Sequence, residues 1–249
     1  MLPEYTREEL AAGLDHATEH ILGKAGVRTP PVDAFLLAQA LGIAVALDDR
    51  QEGRAQYVRL SGRRAASPRA TILLRPDPRL ERQQWAIAHE IGEHVAYHVF
   101  AQWGVDPRVV EPGARETVAN NLAGRLLLPT VWFAADAAAC DWDLTALKAR
   151  YRTASHELIA RRMLECSPPV VISIFDHRQI SFRRSNLPGR APPPSPAEMQ
   201  CWRDVHRGNH PLRTRAGPGF VQGWPIHEEG WKREILRMEM NEYVAEWCE

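Results

Sequence analysis

His89-Glu90-Ile91-Gly92-Glu93-His94 holds the residue types that a hydrolytic metal site needs. In H-E-x-x-H, two His four apart lie on one helix face and bind Zn²⁺. The Glu between them takes a proton from the metal-bound water. Here the second His comes five residues after the first. A spacing of four leaves two side chains roughly 40° apart around a helix, and a spacing of five leaves them roughly 140° apart. Three pairs on this stretch are therefore candidates. His89 with Glu93 keeps the spacing of four. His89 with His94 needs one extra residue absorbed, for example as a π-bulge, a feature frequent at functional sites. His94 with His98 has the spacing of four but no Glu in the base position. A catalytic zinc also needs a third protein ligand and an open position. Glu116 is a candidate, at the start of a second helical pattern in which Glu116, Ala119, Asn120, Ala123 and Leu127 share a face. An acid on such a small, apolar face is costly to bury unless it is paired or bound to metal.

The elements that must position these residues follow from periodicity and punctuation. Thr6 caps a first helix with Glu8 and Glu9 in its first turn, and apolar residues recur from Leu10 to Leu22 at helical spacing. A second helix is predicted over Val32 to Leu41, ending at Gly42. Ile43 to Leu47, Gln56 to Leu60 and Ala70 to Leu74 read as strands. The last of these, just before the motif, is a candidate to pair with an extended substrate. A long helix from about Leu80 to Phe100 carries the motif, whose His89 follows the apolar run Trp85-Ala86-Ile87-Ala88. The Glu116 helix runs from about Ala114 to Leu128 and is stopped by Pro129. Asp143 to Leu164 suggests two short helices. After Ser167-Pro168-Pro169, Val170 to Phe175 and Ile180 to Phe182 form a predicted hairpin. Ser195 with Glu198 forms a capping box for a further helix. Phe220 to Ile226 and Trp231 to Met240 are read as strands. The predicted fold class is α+β: a zincin-like domain with a small three-stranded sheet over 1–130, a helix-turn-helix-like segment over 131–167, and an α/β sensor-like domain over 168–249.

The chain has 249 residues and no formal net charge, but the charge is unevenly spread. Eight Arg against two acids lie between Arg54 and Arg82, and eight Arg against two acids between His177 and Arg215. The end, from His227, is acidic. Such blocks are solvated surface or nucleic-acid contacts, depending on whether folding brings them together. The four cysteines, Cys140, Cys166, Cys201 and Cys248, form no C-x-x-C and are too sparse for a disulfide framework. Met1 to Thr6 carries no secretory signal, and no apolar run approaches a membrane span. A cytoplasmic protein without a membrane partner is expected.

Several longer stretches resemble the ImmA/IrrE family of zinc metallopeptidases. Pro31-Val32-Asp33 and Leu41-Gly42-Ile43-Ala44-Val45 resemble its N-terminal segment, and Arg82 to Gly92 is similar to its R-Q-R-F-T-I-A-H-E-L-G segment. Glu116 to Pro129 resembles its E-x-x-A-N-x-F-A-x-x-L-L-M-P helix, and Asp143 to Leu164 its helix-turn-helix-like segment. The resemblance implies zinc held by His89, His94 and Glu116, with Glu90 as general base. It places the additional residue at Glu93, because His94 and His98 keep the family's last spacing. An H-E-x-x-x-H zinc helix also occurs in dipeptidyl peptidase III. Glu93 stays an alternative ligand, and His98 is read as a supporting or core residue.

The family further implies site-specific cleavage of a helix-turn-helix repressor after DNA damage or mobile-element induction. The region after residue 167 would be a GAF-like sensor. The chain is also similar to the CapP-like branch that accompanies antiphage CBASS operons and responds to single-stranded DNA. The Arg block from Arg178 to Arg215, with Phe182 and Trp202, suits backbone contact and base stacking; the same aromatics also suit a core. Cys140 is the first candidate for a thiolate that blocks the open zinc position. The competing functions are a non-catalytic DNA-responsive regulator with a degenerate metal site and a small-peptide or amide hydrolase.

Overall fold

The protein is described from a computed structural model, for residues 6–60, 68–106, 108–166 and 168–240. Arg63, Arg64, Ser167, the domain boundary drawn there, and Cys248 lie outside the described residues. The chain divides into two units. The first comprises Met1–Phe133 with Arg150–Ser155, and the second Ala134–Ala149 with His156–Glu249. The predicted helix-turn-helix-like segment is thus shared between them.

In the first unit, helix α1 (Arg7–Lys24) starts where the sequence predicts. Thr6 Oγ1 accepts from the Glu9 amide at 3.2 Å, and Glu9 Oε2 accepts from the Thr6 amide at 2.8 Å. Such a reciprocal box satisfies two amides that a helix start leaves unpaired. Helix α2 (Ala34–Ala40) is capped by Asp33, whose Oδ1 accepts from the Phe35 amide at 2.9 Å. The buried Gln84 also clasps this start: its Oε1 accepts from Ala34 N at 2.6 Å and its Nε2 donates to Asp33 Oδ1 at 3.1 Å. Gln84 lies on α3 (Leu80–Gln102), so a side-chain amide joins the two helices.

Strands β1 (Ala44–Leu47), β2 (Ala55–Leu60) and β3 (Arg69–Leu74) form a sheet of order β1-β3-β2. β3 runs parallel to β1 and antiparallel to β2, with Ile72 opposite both Val45 and Tyr57. β3 is therefore the middle strand. Both its edges are occupied, which removes it as a partner for an extended substrate. Among the described strands β1 and β2 are the open edges, and β2 packs near α3.

Helix α4 (Pro112–Leu127) packs along α3. Phe100, Val99 and Leu122, all fully buried, form the core between them with Leu14 of α1. Gly92 sits at the crossing. A Cβ there would stand 2.7 Å from the Ala119 carbonyl oxygen and 3.3 Å from the Ala119 Cα and Leu122 Cβ. Only glycine permits this approach, which brings the Glu116 face of α4 toward His89.

Helix α5 (Thr130–Ala139) begins directly after Pro129, which ends α4 and opens the next helix. In the second unit, α6 (Leu144–Arg150) and α7 (His156–Cys166) supply the two short helices expected from the sequence. Strands β4 (Val170–Asp176), β5 (Gln179–Ser185), β6 (Leu212–Ala216), β7 (Gly219–Glu228) and β8 (Trp231–Glu239) pair antiparallel in the order β5-β4-β8-β7-β6.

The second sheet is covered on both sides. Helix α8 (Pro196–Gly208), capped by Ser195 with Glu198, packs through Cys201 and Val205 on Phe175, Val221 and Leu236. It comes so close to β7 that a Cβ on Gly223 would stand 2.8 Å from Val205 Cγ2. On the opposite face Arg233 reaches Glu157 of α7 at 2.6 Å, and Trp224 donates to Asp143 at 3.1 Å. Two covered faces explain why Val170 to Phe175 is buried throughout rather than in alternation. The α+β class agrees with this arrangement.

Candidate metal centre

Helix α3 is an unbroken α-helix from Leu80 to Gln102, with no π turn. His89 and Glu93 consequently sit one above the other, with His89 Nε2 4.0 Å from Glu93 Oε1. From the neighbouring helix, Glu116 brings Oε2 to 3.6 Å from the same nitrogen. Asn120, one turn after Glu116, links the two helices. Its Nδ2 donates to Glu116 Oε1 at 3.0 Å, and its Oδ1 lies 3.1 Å from His89 Nδ1.

That relay fixes the imidazole. A carboxylate only accepts, so the Asn120 amide nitrogen must face Glu116 and its carbonyl oxygen must face His89. A carbonyl also only accepts, so Nδ1 carries a proton, and Nε2 is the nitrogen left to meet an ion. Nε2 faces two carboxylates at 3.6 and 4.0 Å, too far for a hydrogen bond. Donors about 2.1 Å from a tetrahedral zinc lie roughly 3.4 Å from one another, so the spacing suits donors that share an ion. The hydrogen bond on Nδ1 is the arrangement that orients ligating His side chains. The residues present therefore fit a zinc ion. His89, Glu90 and Glu93 can each offer a ligand atom within 4.8 Å of the others.

Glu90 lies on the buried side of α3. The Tyr57 amide of edge strand β2 donates to its Oε2 at 2.7 Å. Burial pushes the Glu90 carboxyl above its ordinary range. The Tyr57 amide opposes this, while the Glu93 and Glu116 carboxylates push the same way. A carboxyl raised toward neutral pH is a better general base than an ordinary one.

His94 is turned away from His89's partners. Its ring stacks on Tyr57 at 4.6 Å and meets Tyr97 edge-on at 6.2 Å. Burial first, then the charges of Arg59 and His98, hold its pKa below the ordinary His value. His98 lies against the Tyr97 ring at 3.9 Å. The structure thus brings together His89, Glu90, Glu93 and Glu116, and holds His94 on β2. Tyr57 and the bridging role of Asn120 are not apparent in the sequence reading. Asn120 left one signal, its spacing of four from Glu116; Tyr57 left none, because it arrives from a distant strand.

The other candidates occupy ordinary positions. The Cys140 thiol, half-buried after α5, donates to the Ala137 carbonyl at 3.6 Å. Burial raises its pKa. Arg183 of the second basic block pairs with the buried Glu198 at 2.7 Å. Trp202 stacks on Phe175 at 5.2 Å and donates to Glu234 at 3.0 Å. Phe182 lies under Arg161 at 4.3 Å. These members of the basic and aromatic set are engaged within the second unit. No described helix is long and apolar enough to cross a membrane.

Residues 38–164 match the IrrE N-terminal-like domain, a peptidase family. Among solved structures, the chain is similar to a Mycobacterium tuberculosis transcriptional regulator, with a TM-score of 0.60 and 18% identity. The match covers 93% of this chain and 80% of that one, and at this identity it speaks for the fold alone. No curated protein matches the chain.

Proposed function

The chain belongs to the IrrE N-terminal-like domain family, and from that premise we propose that it is a regulatory zinc metallopeptidase that makes a specific cut in a helix-turn-helix repressor. The observation that carries the proposal is the Glu116–Asn120–His89 relay, which leaves His89 Nε2 facing two carboxylates. A zinc ion bound there would acidify a water and polarise the scissile carbonyl.

His89 and Glu116 would be two of its ligands. In the helix as it stands Glu93, 4.0 Å from His89 Nε2, would be the candidate third. His94, the ligand implied by the family resemblance, would serve if its ring left Tyr57 and α3 took up one residue as a bulge. Replacing each separately by Ala discriminates them, since only the true ligand removes zinc. Glu90 Oε1 takes the proton of the attacking water while the Tyr57 amide holds Oε2 in place. The open edge of β2 pairs with the extended substrate and carries it past Glu90.

The second unit receives the signal, for which single-stranded DNA is the first candidate and DNA damage the physiological setting; an operon of the CBASS type is the corresponding context. The test mixes the zinc-loaded full chain with helix-turn-helix repressors encoded beside it, with and without single-stranded DNA. One cut by the wild type and none by Glu90→Gln is expected. Cutting by Glu90→Gln would sink the mechanism. A chain purified without chelator that holds no zinc would sink the protease reading and leave the non-catalytic regulator.

A further inference from the structure

A second group of metal-binding residue types lies in the second unit, far in sequence from the motif helix. His206 ends α8, His227 lies near the end of β7, and Glu234 is on β8. Pro225 is the register partner of Glu234, so His227, two residues on, shares its face of the sheet at the diagonal position. This face is the one that α8 covers, which brings His206 down from above. Each of the three offers a ligand atom within 4.8 Å of the others.

Glu234 Oε1 is the centre of the group. His206 Nδ1 lies 2.8 Å from it and His227 Nε2 2.6 Å. Its other oxygen accepts from the Trp202 indole N–H at 3.0 Å. The Glu234 side chain is fully buried, and its side-chain partners among the described residues are these three groups, none of them Lys or Arg. A carboxylate removed from water needs a counter-charge. Two imidazoles and one carboxylate supply it by holding a cation between them. The indole bond on the far oxygen then orients the carboxylate, as hydrogen bonds to ligating side chains do.

We propose that His206, His227 and Glu234 form a second binding site, for a divalent transition-metal ion of the zinc class, that clamps α8 to strands β7 and β8. Two imidazole nitrogens and one carboxylate oxygen suit zinc and its neighbours rather than magnesium or calcium, which take oxygen ligands. The N···O distances of 2.6 and 2.8 Å must open to roughly 3.4 Å around a tetrahedral ion, a small rotation of each ring. The His206 and His227 side chains are 13% and 12% exposed, so the open side of the site faces water and leaves a fourth position for it. The metal ties α8 to two of the strands that it covers.

The test uses the full chain carrying His89→Ala and Glu116→Ala, which removes the first site without touching the second unit. After chelation it is titrated with Co²⁺, followed by its visible ligand-field absorption, and then with Zn²⁺ in competition. One equivalent of Co²⁺ displaced by Zn²⁺ is expected. Adding His227→Ala abolishes that equivalent, and adding Trp202→Phe weakens it about 10- to 100-fold. Hydrogen exchange on the unmodified wild-type chain guards against misfolded variants: Zn²⁺ should raise protection over 200–208 and 221–237. No Co²⁺ bound by the first-site variant, an equivalent indifferent to His227→Ala, or unchanged protection in those segments would overturn the proposal and leave a hydrogen-bonded carboxylate alone. None of these readouts depends on peptidase activity.

Discussion

Replacing Gly92 by Ala puts one methyl group at the point where the two site helices touch. The new Cβ would lie 2.7 Å from the Ala119 carbonyl oxygen. Ordinary contact begins near 3.4 Å, so α4 must retreat by about 0.7 Å. The neighbour is helix backbone rather than a flexible side-chain end, so it yields only by moving the helix. Overpacking against helix backbone falls in the upper part of the usual range, about 2–3 kcal/mol, against a gain of about 0.8–1.0 kcal/mol from the better helix propensity of Ala. The clash wins, with a net loss of about 1–2 kcal/mol. In a unit of this size that lowers the melting temperature by roughly 3–10 °C. The same retreat stretches the His89–Asn120 contact from 3.1 Å beyond hydrogen-bond range and carries Glu116 away with it. Zinc affinity should fall about 10- to 100-fold, as when a bond that orients a ligand is lost. Calorimetric melting of the metal-free protein and zinc titration of the folded protein measure the two effects. A Gly92→Ala protein that melts within a degree of wild type, or that binds zinc equally well, would refute the claim that this approach sets the site.

Asn120→Ala removes the relay without moving a helix; zinc affinity should drop about 10- to 100-fold with little change in melting temperature, and unchanged affinity would mean that His89 is oriented by other groups. Glu90→Gln should abolish peptide cleavage. It should also alter the pH dependence of the metal-free protein. Burial raises the folded-state pKa of Glu90 above its ordinary 4.5, so its contribution is fully present at acid pH and is lost as pH rises through the raised value. Gln is neutral throughout, so the variant should resist urea better than wild type at pH 8 and no better at pH 4; equal midpoints at pH 8 would show that Glu90 is not strained by burial. Glu198→Ala leaves Arg183 buried without its carboxylate and removes the α8 capping box, which should destabilise the second unit by about 3–5 kcal/mol. Hydrogen exchange of the α8 amides reads this directly, and undiminished protection would rule it out.

Much of this protein is written in local sequence. The capping boxes at Thr6 with Glu9 and Ser195 with Glu198 form where their spacing places them, because a cap is made within four residues. The three strands before α3 and the length of α3 likewise follow from short-range pattern. Two elements escaped. Leu212–Ala216 alternates Arg with small residues and looks like charged loop, as edge strands often do. Thr130–Ala139 was hidden by Pro129, read as a stop when it also starts a helix.

The sequence by itself determined the chemistry on offer: a His, a Glu in the base position and a second acid on a following helix. What it left open were distances between residues far apart in the chain. Whether Ala70 to Leu74 could take a substrate strand depended on sheet order, and pairing on both edges excludes it. That Tyr57 holds Glu90, that Asn120 fixes the protonated nitrogen of His89, and that His206, His227 and Glu234 meet at one oxygen are all long-range facts. Spacing along a helix fixes angles within that helix, but the third and fourth partners of a site come from other elements. Their positions are set by close packing, at Gly92 for the first site, where it meets the Ala119 backbone, and at Gly223 for the second, where the Val205 and Cys201 side chains of α8 rest on the strand.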